Sequence, residues 1–168
     1  MQRFQEFLLL LKKILSNMKA LVQRVLQASV SVNGKITGSI NKGLLIFVGF
    51  GLQDKPKELD WMVEKVSGLR IFPDADQFMN LSVLDVSGEI LVVSQFTLHA
   101  DTRKGKRPSF TKAIDPDTAN ILYRLFIQKL KDRDIPISEG VFGGDMKVSL
   151  VNDGPVTIMI DSPVERVN

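Results

Sequence analysis

The sequence has no cysteine and a single histidine, His99, among its 168 residues. The absence of cysteine excludes disulfides, zinc–thiolate sites and thiol nucleophiles, and it is compatible with a reducing compartment. With one histidine, a Ser-His-Asp triad or a multi-histidine metal site would depend on that one ring. We therefore expect neither a metal nor any other cofactor.

A long apolar run is also lacking near the N-terminus. Leu8 to Leu11 is followed at once by Lys12 and Lys13, so the stretch is too short to cross a bilayer, and it has no small-residue cleavage site of a signal peptide. We interpret residues 1–17 as an extension before a single domain over 18–168, with an amphipathic helix on a membrane surface as the alternative. We expect a cytoplasmic protein without a membrane partner.

Positive and negative charges nearly balance along the chain, except in one cluster of cations. The net charge is +3, and residues 1–17, with three cations against one carboxylate, account for +2 of it. The exception is the basic loop formed by Arg103, Lys104, Lys106 and Arg107. A solvated loop, a phosphate-binding loop and a protease-sensitive loop are all compatible with it. No aromatic residue separates these charges, which disfavours base stacking along the loop.

Apolar periodicity predicts strands, a helix, strands, a helix and strands in that order. Turn residues predict hairpins at Asn33-Gly34, at Ser87-Gly88 and at 152–155. This order favours an α+β fold with largely antiparallel sheet over a doubly wound parallel sheet. The predicted strands are 20–32, 35–40, 44–50, 82–86, 89–96 and segments around Val141, Val148 and Val156, and the helices open at Asp54 with Pro56 and at Asp115 with Pro116.

The segment Ser94-Gln95-Phe96-Thr97 follows an apolar strand. There Thr97 could act as a nucleophile, Gln95 could donate from its amide, and backbone N–H groups could stabilise an oxyanion. Alternatively the strand simply runs into solvent, with Ser and Thr satisfying turn hydrogen bonds. Thr97 has no evident base, because His99, although on the same face of a continued strand, is expected at the surface.

A second segment, Asn152-Asp153-Gly154-Pro155, separates two stretches of alternating polarity. Proline removes a backbone donor and restricts the residue before it, so an ordinary hairpin has little need of it here. The segment is either a stiff turn or a rigid Gly-Pro unit directed at another group.

The two segments together, SQFTL at 94–98 and NDGPVT at 152–157, resemble the two signature motifs of the D-aminoacyl-tRNA deacylase family. The resemblance covers 18–161 and leaves the extension outside. Further blocks that are similar to that family are QRV at 23–25, LRIF at 69–72, MNLSVLDV at 79–86, ADTRKGKRPSF at 100–110 and FGGDMKVSL at 142–150.

The resemblance implies hydrolysis of the ester that links a D-amino acid, or mischarged glycine, to the terminal adenosine of tRNA. It implies a compact β-barrel-like α+β domain with two main helices that forms a homodimer, with the active site at the dimer interface. It further implies that Gly154-Pro155 has a cis peptide bond and enters the partner's site. A rigid backbone there would exclude every L side chain while accepting D residues and glycine.

Catalytic roles are implied for Ser94, Gln95, Phe96 and Thr97. In one mechanism Thr97 forms an acyl-enzyme. In the other, which we favour, the 2'-OH of the terminal ribose assists and the Phe96 backbone N–H stabilises the oxyanion.

Binding roles are implied for Arg24, Phe142 and Met146. Arg24 would bond the carbonyls of the Gly-Pro unit, and otherwise it is a surface arginine on the first strand. Phe142 and Met146 would line the pocket for adenosine and the aminoacyl group, and otherwise they are ordinary apolar strand residues. The basic loop would contact the tRNA backbone.

Two alternatives remain beside an aminoacyl-tRNA hydrolase. One is a non-catalytic RNA- or DNA-binding module that uses the basic loop. The other is an unrelated hydrolase of small esters with a threonine nucleophile.

Overall fold

The computed structural model describes residues 17–163, so the predicted extension, apart from Asn17, lies outside the described residues. These residues form six strands, two α-helices and one 3-10 helix, which confirms the α+β prediction. The strands are β1 (Lys19–Val32), β2 (Lys35–Ile40), β3 (Gly43–Gly49), β4 (Glu89–Ser94), β5 (Ile137–Glu139) and β6 (Lys147–Asp161), and the helices are α1 (Pro56–Gly68) and α2 (Pro116–Lys131), with the 3-10 helix over Phe96–His99.

The sheet is mixed, with the order β2-β1-β3-β4-β5 and β6 paired to β1. The pairings of β1 with β2, β3 and β6 are antiparallel, and those of β4 with β3 and β5 are parallel. The first half of β1 pairs with β3 and its second half with β2, while β6 pairs along both halves. β3 and β2 therefore share one edge of β1, so the sheet has to curl between them.

The curl brings β2 against β5 and nearly closes a barrel. The Ser138 hydroxyl donates to the Ser39 carbonyl at 2.9 Å. A Cβ atom on Gly38 would lie 2.6 Å from the Glu139 carbonyl oxygen, so only glycine permits this approach. The predicted barrel-like domain is thus confirmed.

Each face of the sheet has its own core. The alternation of β3 sends Leu44, Ile46 and Val48 to the face that α1 and α2 cover, and it sends Leu45 to the interior of the barrel.

Both helices begin with proline in the first turn. Asp115 caps α2 by accepting from the Thr118 N–H at 3.0 Å, as the sequence predicts.

Three sequence predictions about strands are wrong. The segment 82–86 is no strand, since residues 83–87 form turns, and β4 pairs in parallel with β3 rather than in a hairpin around Ser87-Gly88. The segment at Val141 is a turn closed by a 3.0 Å bond from the Gly144 N–H to its carbonyl. The predicted hairpin at 152–155 does not form, because β6 continues through the segment and pairs with β1 on both sides of it.

Candidate active site

The predicted catalytic segment begins where β4 ends. Ser94 lies beside Val48 in the parallel β3–β4 pair, and the Gln95 N–H donates to the Val48 carbonyl at 2.7 Å. The chain then turns into the 3-10 helix, which crosses over the end of β3. Gly49 permits the crossing, since a Cβ there would lie 2.7 Å from the Gln95 carbonyl oxygen. Ladder bonds and a close glycine contact therefore fix the position of this segment.

A cavity of about 630 Å³ opens beside this segment. Its volume lies within the range of small-molecule sites. Five of the predicted site residues line it, namely Ser94, Gln95, Phe96, Phe142 and Met146. Sequence reasoning missed the wall on the other side, formed by Phe110, Ala113, Ile114, Pro116 and Ala119.

Thr97 lies on the exposed side of the 3-10 helix. Its hydroxyl oxygen accepts a hydrogen bond from the Gln95 side-chain amide, which is a donor and cannot remove a proton. His99, expected at the surface, is instead buried with 3% of its area exposed, because the strand does not continue and the helix turns the ring inward. Burial lowers the pKa of His99, and the ring forms a hydrogen bond with the Gly49 backbone. Neither neighbour is therefore placed to activate Thr97.

Phe96 contributes a backbone donor and an aromatic side chain. As the first residue of the 3-10 helix, its N–H has no acceptor within the helix. The residue is 57% exposed, and its ring packs edge-on against Phe110, with ring centroids 4.9 Å apart. Phe110 directly follows the basic loop, so this contact joins that loop to the mouth of the cavity.

Phe142 and Met146 form the wall of the cavity beside the barrel. Phe142 packs against Tyr123, with centroids 5.7 Å apart, and the Tyr123 hydroxyl donates to the Val92 carbonyl at 2.9 Å. Met146 lies over Gly140, where a Cβ would come within 2.6 Å of its sulfur. The missing side chain at Gly140 therefore sets the depth at which Met146 sits.

The Gly154-Pro155 segment is a bulge of β6. Gln23 pairs with Thr157 and Val25 pairs with Asn152, so the four residues 153–156 lie opposite Arg24 alone. The peptide bond between Gly154 and Pro155 is cis, and both residues are exposed. The dipeptide is thus displaced from the strand toward solvent.

Asn152, which sequence reasoning did not single out, closes the bulge. Its Oδ1 accepts from the Val156 N–H at 2.7 Å, and its Nδ2 donates to the Val156 carbonyl at 3.1 Å and to the Thr157 hydroxyl at 3.0 Å. These bonds replace the ladder bonds that the bulge interrupts. Asparagine, whose short side chain readily bonds backbone groups a few residues away, is the local signal that could have identified this role.

Arg24 braces the bulge from below. The alternative, a surface arginine, is excluded, since only 1% of the residue is exposed. Its Nε donates to the Asp153 carbonyl at 2.9 Å and lies 3.4 Å from the Asp153 carboxylate, and Nη1 donates to the Ile71 carbonyl at 2.5 Å. The carbonyls that accept from Arg24 are therefore those of Asp153 and Ile71. The resemblance implied that they would be those of the Gly-Pro unit.

The dipeptide lies away from the cavity of its own chain. Neither Gly154 nor Pro155 is among the residues that line the cavity. Along β6, Val148 lines the cavity and Gly154 follows six residues later. One copy of the chain thus carries the two features at separate places.

The basic loop is closed by paired backbone bonds between Asp101 and Ser109, of 2.7 and 2.9 Å. Arg103, Lys104, Lys106 and Arg107 are all exposed. Arg103 pairs with the Asp101 carboxylate, and this hydrogen bond holds the pKa of Asp101 far below its ordinary value. The other three cations extend into solvent next to the cavity mouth.

Comparison with known proteins decides the family. A family model described as D-Tyr-tRNA(Tyr) deacylase matches residues 21–161. The chain belongs to this deacylase family. A D-aminoacyl-tRNA deacylase from Thermotoga petrophila is 54% identical over 145 residues, which cover 86% of this chain and 97% of that protein. The family resemblance of the two sequence motifs is thereby confirmed, and the protein is a deacylase, that is, a hydrolase.

Two solved structures share the fold. One, described as a c-Myc DNA unwinding element binding protein, is 41% identical with a TM-score of 0.82 and covers 87% of this chain and 99% of its own. The other, a probable eukaryotic D-amino acid tRNA deacylase, is 19% identical with a TM-score of 0.74 and covers 86% and 99%. Among residues 17–163, no helix of the deacylase is long and apolar enough to cross a membrane.

Proposed function

We propose that the protein hydrolyses the ester of D-aminoacyl-tRNA and of glycine mischarged on tRNA, and that it rejects L-aminoacyl groups with the Gly154-Pro155 bulge of a second copy. The observation that carries the proposal is the separation of two features in one chain. Ser94, Gln95 and Phe96 of the catalytic segment line the cavity, whereas the exposed bulge is not part of its wall. A homodimer in which each bulge enters the other copy's cavity would bring the two together.

The proposed selectivity rests on shape. L- and D-aminoacyl groups have the same atoms, so contacts with the side chain cannot separate them while accepting many side chains. A rigid backbone in the space of the L side chain excludes all L residues, whereas D residues and glycine leave that space empty. The brace by Arg24 and the bonds of Asn152 supply the rigidity that such a wall requires.

For the chemical step, we propose that the 2'-OH of the terminal ribose assists water in attacking the ester carbonyl. The Phe96 N–H stabilises the oxyanion, and collapse of the tetrahedral intermediate breaks the bond to the 3'-oxygen, which leaves with a proton. The donor amide beside Thr97 and the burial of His99, whose ring bonds the Gly49 backbone, support this route over an acyl-enzyme. Phe142 and Met146 hold the adenosine and aminoacyl group, and Arg103, Lys104, Lys106 and Arg107 contact the tRNA backbone.

The test is release of amino acid from D-tyrosyl-, glycyl- and L-tyrosyl-tRNA by the purified protein. We expect release from the first two and intact L-tyrosyl-tRNA. Equal rates on D- and L-tyrosyl-tRNA would refute the proposal that the bulge excludes L side chains. A tRNA that ends in 2'-deoxyadenosine should react slowly, and normal turnover of it would refute assistance by the 2'-OH.

One observation favours a second function, DNA binding. The solved relative described as a DNA unwinding element binding protein is 41% identical to this chain, and the exposed basic loop offers three cations free of Asp101. DNA binding through this loop should weaken steeply with salt. Replacement of Lys104, Lys106 and Arg107 by Ser should abolish it, and unchanged binding of duplex DNA by that variant would exclude the loop as the contact.

A further inference from the structure

Arg24 joins two surface segments, the bulge at 153–156 and a loop over residues 72–81 that we call the Phe78 loop. The guanidinium donates to the carbonyl of Asp153 on one side and to that of Ile71, just before the loop, on the other. The ring of Phe78 then lies over the guanidinium, 4.8 Å from its central carbon. An arginine side chain with only 2% of its area exposed is thus enclosed by two carbonyls, one carboxylate and one aromatic face.

The Phe78 loop is itself fixed in place. Paired backbone bonds of 2.9 Å between Phe72 and Leu81 close it. Inside it, the Asp74 carboxylate accepts from the N–H groups of Asp76 and Gln77 at 2.8 and 2.7 Å and from the Asn80 side chain. These bonds present Phe78 at a defined place, although 59% of the residue is exposed. A side chain of that exposure adds little to the core, so its position needs another explanation.

From this geometry we propose that Phe78 is a positioning residue for the Gly154-Pro155 bulge, acting through Arg24. The aromatic face attracts the cation and keeps water from the hydrogen bonds to the bulge. Without the ring, the guanidinium gains exposed conformations in which it no longer holds the Asp153 carbonyl. Arg24 bonds the carbonyl of Asp153, the residue that precedes Gly154, so movement of Arg24 is transmitted to the dipeptide through that bond. Phe78 thereby tunes discrimination between D and L substrates, and this role rests on the proposed function.

The test compares Phe78→Ala with Phe78→Tyr, which retains the aromatic face, and with Met79→Ala, which removes an adjacent exposed side chain. The first readout is solvent exchange of the Arg24 Nε–H, followed by NMR. Exchange should be about two- to fivefold faster in Phe78→Ala, the factor that corresponds to a cation–π contact at an exposed site, and unchanged in the other two variants. This readout does not depend on activity.

The second readout is the ratio of kcat/KM for D-tyrosyl-tRNA to that for L-tyrosyl-tRNA. The ratio should fall about two- to fivefold in Phe78→Ala and return to the wild-type value in Phe78→Tyr. Faster exchange with an unchanged ratio, or an equal fall in Met79→Ala, would overturn the positioning role. A wild-type protein without any D over L preference would instead refute the proposed function, and with it the role of Phe78 in selectivity.

Discussion

Replacement of Gly154 by Ala tests directly how much stability and selectivity depend on the conformation of the bulge. Gly154 has φ +144°, a conformation that L side chains rarely adopt. A Cβ there would lie 2.8 Å from Val156 Cγ2 and 3.2 Å from Arg24 Nη2. Both neighbours are buried and hydrogen-bonded, so neither can move away at low cost.

We expect Gly154→Ala to lower the free energy of unfolding by about 2–5 kcal/mol, the sum of about 1–2 kcal/mol of backbone strain and about 1–3 kcal/mol of overpacking. If the bulge relaxes outward instead, the stability loss shrinks but the wall is displaced. In either case the ratio of D- to L-tyrosyl-tRNA hydrolysis should fall. Urea denaturation and single-turnover assays on both substrates measure the two quantities.

The matched control is Gly34→Ala. Gly34 has φ +75°, and a Cβ there would meet nothing within 4 Å. Gly34→Ala should lower the free energy of unfolding only by the backbone strain, about 1–2 kcal/mol. It should leave the ratio of D- to L-tyrosyl-tRNA hydrolysis at the wild-type value. An equal stability loss in both variants, together with an unchanged ratio in Gly154→Ala, would refute the reasoning.

Three further predictions follow from the site and its surroundings. Thr97→Ala should keep most of the activity, and a loss of about a hundredfold or more in single-turnover rate would favour the acyl-enzyme route. Burial raises the pKa of Asp54 from its ordinary 3.8 to about 7, so the folded protein retains this proton over that interval. As the pH is raised between these values, the free energy of unfolding, compared with that of Asp54→Asn in urea titrations, should therefore fall by up to about 1.4 kcal/mol per pH unit. A rise of this free energy with pH would contradict the assignment. Gly140→Ala should push Met146 into the cavity and raise KM for D-tyrosyl-tRNA more than it lowers kcat; an unchanged KM would show that Met146 does not line the substrate site.

Local signals predicted the elements whose causes are local. Asn33 and Gly34 have φ +50° and +75°, the backbone that an Asn-Gly hairpin turn requires, and β1 and β2 pair around them. Asp115 and Pro116 begin α2 for similar reasons. Asp54, expected to open α1, instead is buried and accepts from the N–H groups of Met18 and Gly51, and Lys55 precedes the helix.

Features that depend on distant partners could not be predicted. Alternating polarity on both sides of 152–155 fits two strands that pair with each other or one strand that pairs twice with β1, and the partner in β1 lies more than a hundred residues away. The burial of Arg24 could not be predicted for a similar reason. It requires Ile71, Phe78 and Asp153, which lie far from Arg24 in the sequence, to come together around it. Ser94 to Phe96 were expected at a site because polar residues follow a strand end there and because the segment resembles a family motif, whereas the wall at Ala113 gave no signal.

Subunit complementation tests the central claim, that the bulge acts in the partner's cavity. One subunit would carry Gly154→Ala, the other Ala113→Trp to fill its cavity, and two affinity tags would isolate mixed dimers. The open cavity then faces an intact bulge only if the bulge acts across the interface. Our account predicts a wild-type ratio of D- to L-tyrosyl-tRNA hydrolysis in the mixed dimer. The low ratio of the Gly154→Ala homodimer, or failure of the two chains to form a dimer, would contradict it.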